Sequence, residues 1–488
     1  MAKEDEILNI EFRKQVLDEI QMPENEYRKN EARRRFNIFQ NNLHSEVKNE
    51  LIKEYDLQTV EKFRTQTSIN LVPRVINEQA SIYKNPPSRK FSELNENQED
   101  YVKRKYEEFK YNVIYKKANK FYKLQDQCLI QITPNKNNEL QSRILQPHHY
   151  DVITRDDDPT KILCVIVNLQ NEDRFIKSYN DSIERDQSRN FFNEIISDLD
   201  DKKQSQKKFV WWSDNYNFIT NEYGEITSGE EIENSLGELP FVDVTDPCEQ
   251  DFGYWVFKES LLVRFTIDQC KDLTDLTETI KMQGFAMGIL FAKEKPQSVN
   301  VGPRKFMFIP LDPDNPELRP QFDFKNPSPN IVAQMNVILD KLAMFLSSYG
   351  VDPQTVGGVA NVSEFNSGVQ MLLAQLKRFE ASNDDIALFK WVEQKFYKKF
   401  IKWNNLLASN QIEDYEMLPE NSCLMINYVK PQMTETQKDK EERMMRLFEN
   451  GFISKKHAMM EIFEVDAETS KKLIEGIDKE MYSEQKVE

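Results

Sequence analysis

Eight of the chain's twenty prolines fall between Pro296 and Pro329, in KEKPQSVNVGPRKFMFIPLDPDNPELRPQFDFKNPSP. Proline fixes φ and has no N–H to donate, so it ends helices and is tolerated in turns and edge strands. The stretch reads as a compact insert of short strands and loops. Its flanks read as helices. Over 258–289, Leu262, Phe265, Leu273, Leu276 and Ile280 make one apolar stripe, with Asp268, Asp272, Asp275 and Glu278 close to it. Over 330–347, Ile331, Met335, Ile338, Leu342 and Phe345 share a face. Two helices therefore enclose the insert, as two legs hold a foot.

The stretch after the second leg, SYGVDPQTVGGVANVSEFNSGVQMLL, gathers Gly350, Gly357, Gly358 and Gly368, four of only thirteen glycines. Glycine reaches positive φ without a steric penalty, so this segment can bend or move between helices. No proline then occurs between Pro353 and Pro419. Apolar residues recur at Val369, Leu372, Leu376 and Phe379, and again from Phe389 through Phe396 and Trp403 to Leu407. One helix of about 40 residues is predicted, about 60 Å long at 1.5 Å per residue. It is expected to bend or step near Ser382 to Asp385, where EASNDD interrupts the stripe.

Residues 1–130 are helix-like, over 11–20, 24–43 and 97–129, broken by Pro86 and Pro87. From 129 to 245 the pattern changes to short β-branched and aromatic runs between polar turns, with a charged insertion at 181–205. NSLGELPFVDV reads as a glycine turn, a proline and a short strand, and SCLMINYV as a further strand. The tail from 434 reads as two or three charged helices joined at NGFIS, with Gly451 as C-cap and Ser454 as N-cap. The fold class is α+β, helix-rich.

The length of 488 residues allows two to four domains or one elongated subunit. Charged residues make up 30%, which suits a chain with much solvent-facing or partner-facing area. A net charge of −17 predicts repulsion of nucleic acid from most of the surface. Five scattered cysteines with no Cys-x-x-Cys read as reduced thiols. The charged N-terminus carries no apolar leader, and no run of eighteen apolar residues predicts a membrane span. No phosphate-binding glycine loop, nucleophile elbow or dinucleotide glycine motif is present. His148 and His149 are the one adjacent histidine pair; on a strand they would point to opposite faces, so a turn or strand edge is the simpler reading than a metal site. Arg155-Asp156-Asp157-Asp158 lies between β-like flanks and reads as a polar turn before a divalent-ion site. The expectation is a non-enzymatic protein without metal or cofactor.

Four segments in this order resemble the portal proteins of tailed bacteriophages: ILQPHHYDVITRDDDPTKILCVIV, NSLGELPFVDV, SGVQMLLAQLKRFEASNDD and ENGFISKKHAMMEIFEVDAETSKKLIEGIDKE. The similarity runs from about residue 60 to the end; the first 60 residues and 181–205 depart from it. It implies the phage portal fold, with a wing at 1–257, a first stem helix at 258–289, a clip at 290–329 and a second stem helix at 330–347. A tunnel loop at 348–366 follows, then the long helix of the wing at 367–406, a wing strand at 407–432 and C-terminal crown helices at 433–488.

The resemblance further implies a homo-dodecameric ring at one capsid vertex of the virion, through which double-stranded viral DNA is packaged and ejected. Its implied partners are the major capsid and scaffolding proteins, the large terminase, and head-completion and tail adaptor proteins, with no membrane and no cofactor. The DNA channel would take Gly350, Gln354, Thr355, Val356, Gly357, Gly358, Val359, Asn361, Val362 and Ser363, short or neutral side chains that touch a duplex without holding it. Basic contacts in the clip and stem would come from Lys293, Lys295, Arg304, Lys305 and Lys341, for phosphates or for salt bridges between subunits. The acids of the first stem helix face either the channel or solvent. Rival readings are another structural protein of the phage head, an adaptor or scaffold, and a metal-dependent DNA-processing enzyme.

Overall fold

The computed structural model describes residues 2–135, 138–169, 207–227, 233–250, 253–256, 258–283, 287–292, 306–310, 321–325, 330–351, 368–412, 414–428 and 437–463, with 470, 471 and 474. The architecture is mixed α+β and helix-rich, with several small sheets. Six helices open the chain: α1 Ala2–Glu6, α2 Ile10–Ile20, α3 Pro23–Phe39, α4 His44–Glu54, α5 Leu57–Val60 and α6 Leu71–Gln79. Strand β1 Ser88–Phe91 and helices α7 Glu96–Glu108 and α8 Tyr111–Gln125 lead into the β-rich part. That part comprises β2 Gln127–Pro134, β3 Leu140–Leu145, β4 Tyr150–Thr154, β5 Ile162–Asn168, β6 Lys208–Trp212, β7 Asn217–Asn221 and β8 Phe241–Thr245. Then come α9 Leu261–Gln283, strands β9 Met287–Ala292, β10 Phe306–Pro310 and β11 Gln321–Lys325, and α10 Ile331–Ser348. Helix α11 Gly368–Ser409, β12 Leu424–Asn427, α12 Gln437–Glu449 and α13 Lys455–Phe463 complete the order. The chain divides into two units, Met1–Val429 and Lys430–Glu488.

The first unit is layered. Sheet β4-β5-β6-β7 is antiparallel throughout, and β3-β2-β8 is a second antiparallel sheet. Successive side chains of a strand point to opposite faces. On β5, Cys164 and Ile166 join Val16 and Leu17 of α2, while Val165 and Val167 join Leu129, Leu145 and Trp212 between the sheets. On β2, Cys128, Ile130 and Ile132 face the other way, into an aromatic core with Tyr111 and Tyr115 of α8 and Phe396 and Phe400 of α11. Both sheets are covered on both faces, which is why ILCVIV is apolar without alternation.

The 97–129 helical expectation resolves into two helices. Lys110 takes φ 53 between them, and residues 127–129 belong to β2. The break lets Tyr101 and Tyr106 on one segment and Tyr111 and Tyr115 on the next meet the same core. The long helix spans 42 residues and runs unbroken through 382–385. Two of the polar residues that interrupt its stripe point inward: Ser382 and Asp385 are buried, and Asp385 pairs with Lys123 of α8 at 2.6 Å, while Asn383 and Asp384 are exposed.

His148 and His149 lie in the turn before β4, not on a strand, and their ring centroids are 3.9 Å apart. Burial pushes His148 down to about 3 and His149 well below its ordinary value, so both rings stay neutral. No group of three metal-binding side chains forms among the described residues. Asp158 closes a polar turn, accepting from Thr160 N at 3.0 Å and pairing with Lys161 at 2.9 Å.

The second unit holds α12 and α13. Helix α12 ends where Gly451 adopts φ 73, with Phe452 N donating to Leu447 O at 2.9 Å and Gly451 N to Phe448 O at 3.0 Å. This bond pair is a Schellman cap. Ser454 Oγ then accepts from His457 N at 3.2 Å and starts α13.

Candidate functional site

The proline-fenced insert sits on a helical hairpin. Helix α9 begins where Ser260 Oγ accepts from Val263 N at 3.3 Å, and α10 where Asn330 Oδ1 accepts from Ala333 N at 3.1 Å. The legs are antiparallel. Phe265 stacks on Phe345, centroids 3.8 Å apart with planes within 5°, and Asp272 pairs with Lys341 at 3.0 Å. Their buried faces, Leu262, Val263, Ile267 and Cys270 on one leg and Leu342 and Leu346 on the other, share a core with α4 and α6. Between the legs, β9 pairs with β11 antiparallel and with β10 parallel. The described residues of the insert thus form short strands, as the prolines predict.

Gly350 has a local task. It takes φ 66 directly after α10, its N–H donates to Ser347 O at 3.1 Å, and Val351 N donates to Leu346 O at 3.0 Å. This is a Schellman cap, and it turns the Val351 side chain into the core beneath the hairpin. Gly368 opens α11. The other expected channel residues, Gln354, Thr355, Val356, Gly357, Gly358, Val359, Asn361, Val362 and Ser363, lie outside the described residues, as do Lys293, Lys295, Arg304 and Lys305. Lys341 does not project alone, because its ammonium is engaged by Asp272.

The acids of α9 are engaged mainly within the chain. Asp275 accepts from Tyr55 OH at 3.3 Å, and Glu278 accepts from Arg64 N at 3.0 Å and from Lys281 at 3.0 Å. Gln66 N donates to Thr274 Oγ1 at 3.0 Å, and Lys271 reaches Glu54. Burial pushes the Asp275 carboxyl up, with the Tyr55 bond opposing. The segment from α4 to residue 66 therefore lies along this leg. More than 200 residues of sequence separate these partners, so no local pattern announces them.

Helix α10 is the exception to this internal satisfaction. Val332 is 71% exposed, Val337 53% and Met344 69%. The 18 residues Ile331–Ser348 have a mean hydropathy of 1.3 with 17% of the segment buried, which is long and apolar enough to cross a membrane by length and composition. The expectation of no such segment came from requiring an uninterrupted apolar run; the helix meets the measure although Asp340 and Lys341 interrupt it.

A search against protein-family models found no match, and no curated protein matches the chain.

Proposed function

We propose that the chain is the subunit of a bacteriophage portal: a ring at one capsid vertex through which double-stranded DNA enters and leaves. The observation that carries this reading is the exposure of Val332, Met335, Val337 and Met344 on α10, on a hairpin whose other leg is charged. Exposed valine and methionine at this density mark a surface that another molecule covers. Insertion in a bilayer would take α9 along, since Phe265–Phe345 and Asp272–Lys341 bind the legs together. Asp268, Asp272, Asp275 and Glu278 in hydrocarbon are costly. A second copy of the chain covers α10 without that penalty, and a heterologous contact repeated with a closing rotation makes a ring.

In this reading α9 and α10 are the stem and the β9–β11 insert is the clip, which meets the large terminase and later the head-completion and tail proteins. Residues 348–366 take the part of the tunnel loop, and the capsid and scaffolding proteins surround the wing. The chain carries out no chemistry of its own. Electron microscopy of the purified chain tests the reading. Rings with a central hole and about twelvefold symmetry are expected, and Val337→Asp with Met344→Asp should return them to single chains. Single chains in the wild type even with scaffolding protein present, rings indifferent to both substitutions, or robust metal-dependent nuclease turnover would overturn it.

A further inference from the structure

Helix α11 buries one side in the aromatic core and turns a basic stripe outward. Between Lys390 and Lys402 the sequence KWVEQKFYKKFIK holds five lysines and one carboxylate, Glu393. Glu393 is fully buried and paired with Arg89 at 2.6 Å, so it contributes nothing to the outer face. Lys395, Lys398 and Lys402 are exposed and fall within an arc of about 60° at 3.6 residues per turn. Trp391 stands in the same row, 39% exposed, with the Lys395 ammonium 3.6 Å over its ring. Lys399 and Lys402 share Glu238 at 3.2 and 2.7 Å. Lys390, Lys395 and Lys398 form no ion pair among the described residues. The four lysines of this face, Lys395, Lys398, Lys399 and Lys402, thus have between them one ion-paired carboxylate, Glu238, among the described residues, in a chain whose net charge is −17.

We infer that this face of α11 binds the phosphate backbone of duplex nucleic acid without reading its sequence. The seven-residue span from Lys395 to Lys402 is about 10 Å at 1.5 Å per residue, the length of about three base pairs at 3.4 Å; Lys390 lies about 140° round the helix from Lys395 and stands apart from the row. Lysine presents a compact charge on a flexible stem, which suits phosphate and carries no base code. The row is convex, and its one aromatic is capped by Lys395, so it offers no pocket to anchor the side chains of an acidic protein segment. The site is separate from the loop at 348–366 and does not rest on ring formation.

The test is fluorescence anisotropy of a labelled 30-base-pair duplex of random sequence against the full chain, titrated between 50 and 200 mM salt. Lys395→Gln, Lys398→Gln and Lys402→Gln are combined in one variant, and a control variant carries Lys116→Gln and Lys120→Gln on α8; unfolding curves verify that both fold. Each phosphate contact contributes about 0.9 to the slope of log affinity against log salt. Wild type should therefore lose about 40-fold more affinity than the triple variant across that range, and the control should follow wild type. No binding by wild type, or equal slopes for wild type and triple variant, overturns the inference. So does equal, lysine-dependent binding of polyglutamate, which would make the stripe a dock for an acidic protein. Ring formation, read separately by microscopy, reports on the proposed function alone.

Discussion

Replacing Asp243 by asparagine should stabilise the protein at neutral pH and not in acid. Asp243 lies on β8 opposite Leu129, where Oδ1 accepts from Thr245 Oγ1 at 2.6 Å and from Tyr254 OH at 3.4 Å. No ammonium or guanidinium pairs with it among the described residues; Lys395 acts only through space. Burial pushes its carboxyl up to about 6, opposed by the Thr245 bond, by Lys395 and by Tyr254. The ordinary value is 3.8. The folded state therefore holds this proton more tightly than the unfolded chain. The associated stability is fully present below pH 3.8 and is lost as pH rises through 6.

At about 1.4 kcal/mol per pH unit, full displacement corresponds to about 3 kcal/mol. The residue keeps some accessible surface, and solvent screening brings the expected gain of Asp243→Asn at pH 7.5 to about 1–3 kcal/mol. Asparagine retains the acceptor for Thr245 and Tyr254 and cannot ionise. Urea unfolding of both proteins between pH 4.5 and 8, at one protein concentration, gives the difference curve. Subtraction is needed because the neutral His148–His149 pair acts in the opposite sense, losing stability as pH falls below 6.5. A difference that grows with pH and levels off above 7 is expected. A flat difference, or a variant less stable at pH 7.5 than wild type, would refute a carboxylate strained by burial.

Glu393→Ala should cost about 3–5 kcal/mol, because it strands Arg89 inside the fold and removes the acceptor that Tyr83 and Tyr428 reach at 2.6 and 2.8 Å. Urea midpoints measure it, and a loss below 1 kcal/mol would show that Arg89 finds another partner. Gly224→Ala should cost about 1–3 kcal/mol: Gly224 holds φ +76, strained for any L side chain, and an added Cβ would stand 3.2 Å from Arg13 Cβ. An unchanged melting temperature would mean that the turn relaxes freely.

Sequence made the hairpin legible because its signals are local. A proline fence, two apolar stripes of helical period and the αL glycines at 350 and 451 each act within a few residues. The sandwiched sheets were legible as strands, but which face of β5 meets α2 and which meets β2 depends on pairing and not on composition. Ser382 and Asp385 read as an interruption in the long helix, because polarity alone does not distinguish an exposed turn from an inward carboxylate with a lysine waiting across the interface. Tyr55, Arg64 and Gln66 were silent for a different reason. Their partners on α9 are brought to them by the fold, and nothing in the intervening sequence marks the meeting.

Net charge is a coarse guide to nucleic-acid binding for a related reason. A sum of −17 treats every carboxylate as equally visible to an approaching phosphate. Here Asp151 lies between Arg28 and Lys29 at 2.5 Å, Glu393 holds Arg89, and Asp272 holds Lys341. A neutralised pair presents a dipole whose field falls off faster than that of a single charge. At physiological ionic strength the remaining acids act over about 8 Å. The Lys395–Lys402 row, about 10 Å long, exceeds that length. A phosphate lying against it therefore feels the row and little of the total. Repulsion by the whole chain governs approach from a distance and at low salt; contact is governed by the face that the chain presents.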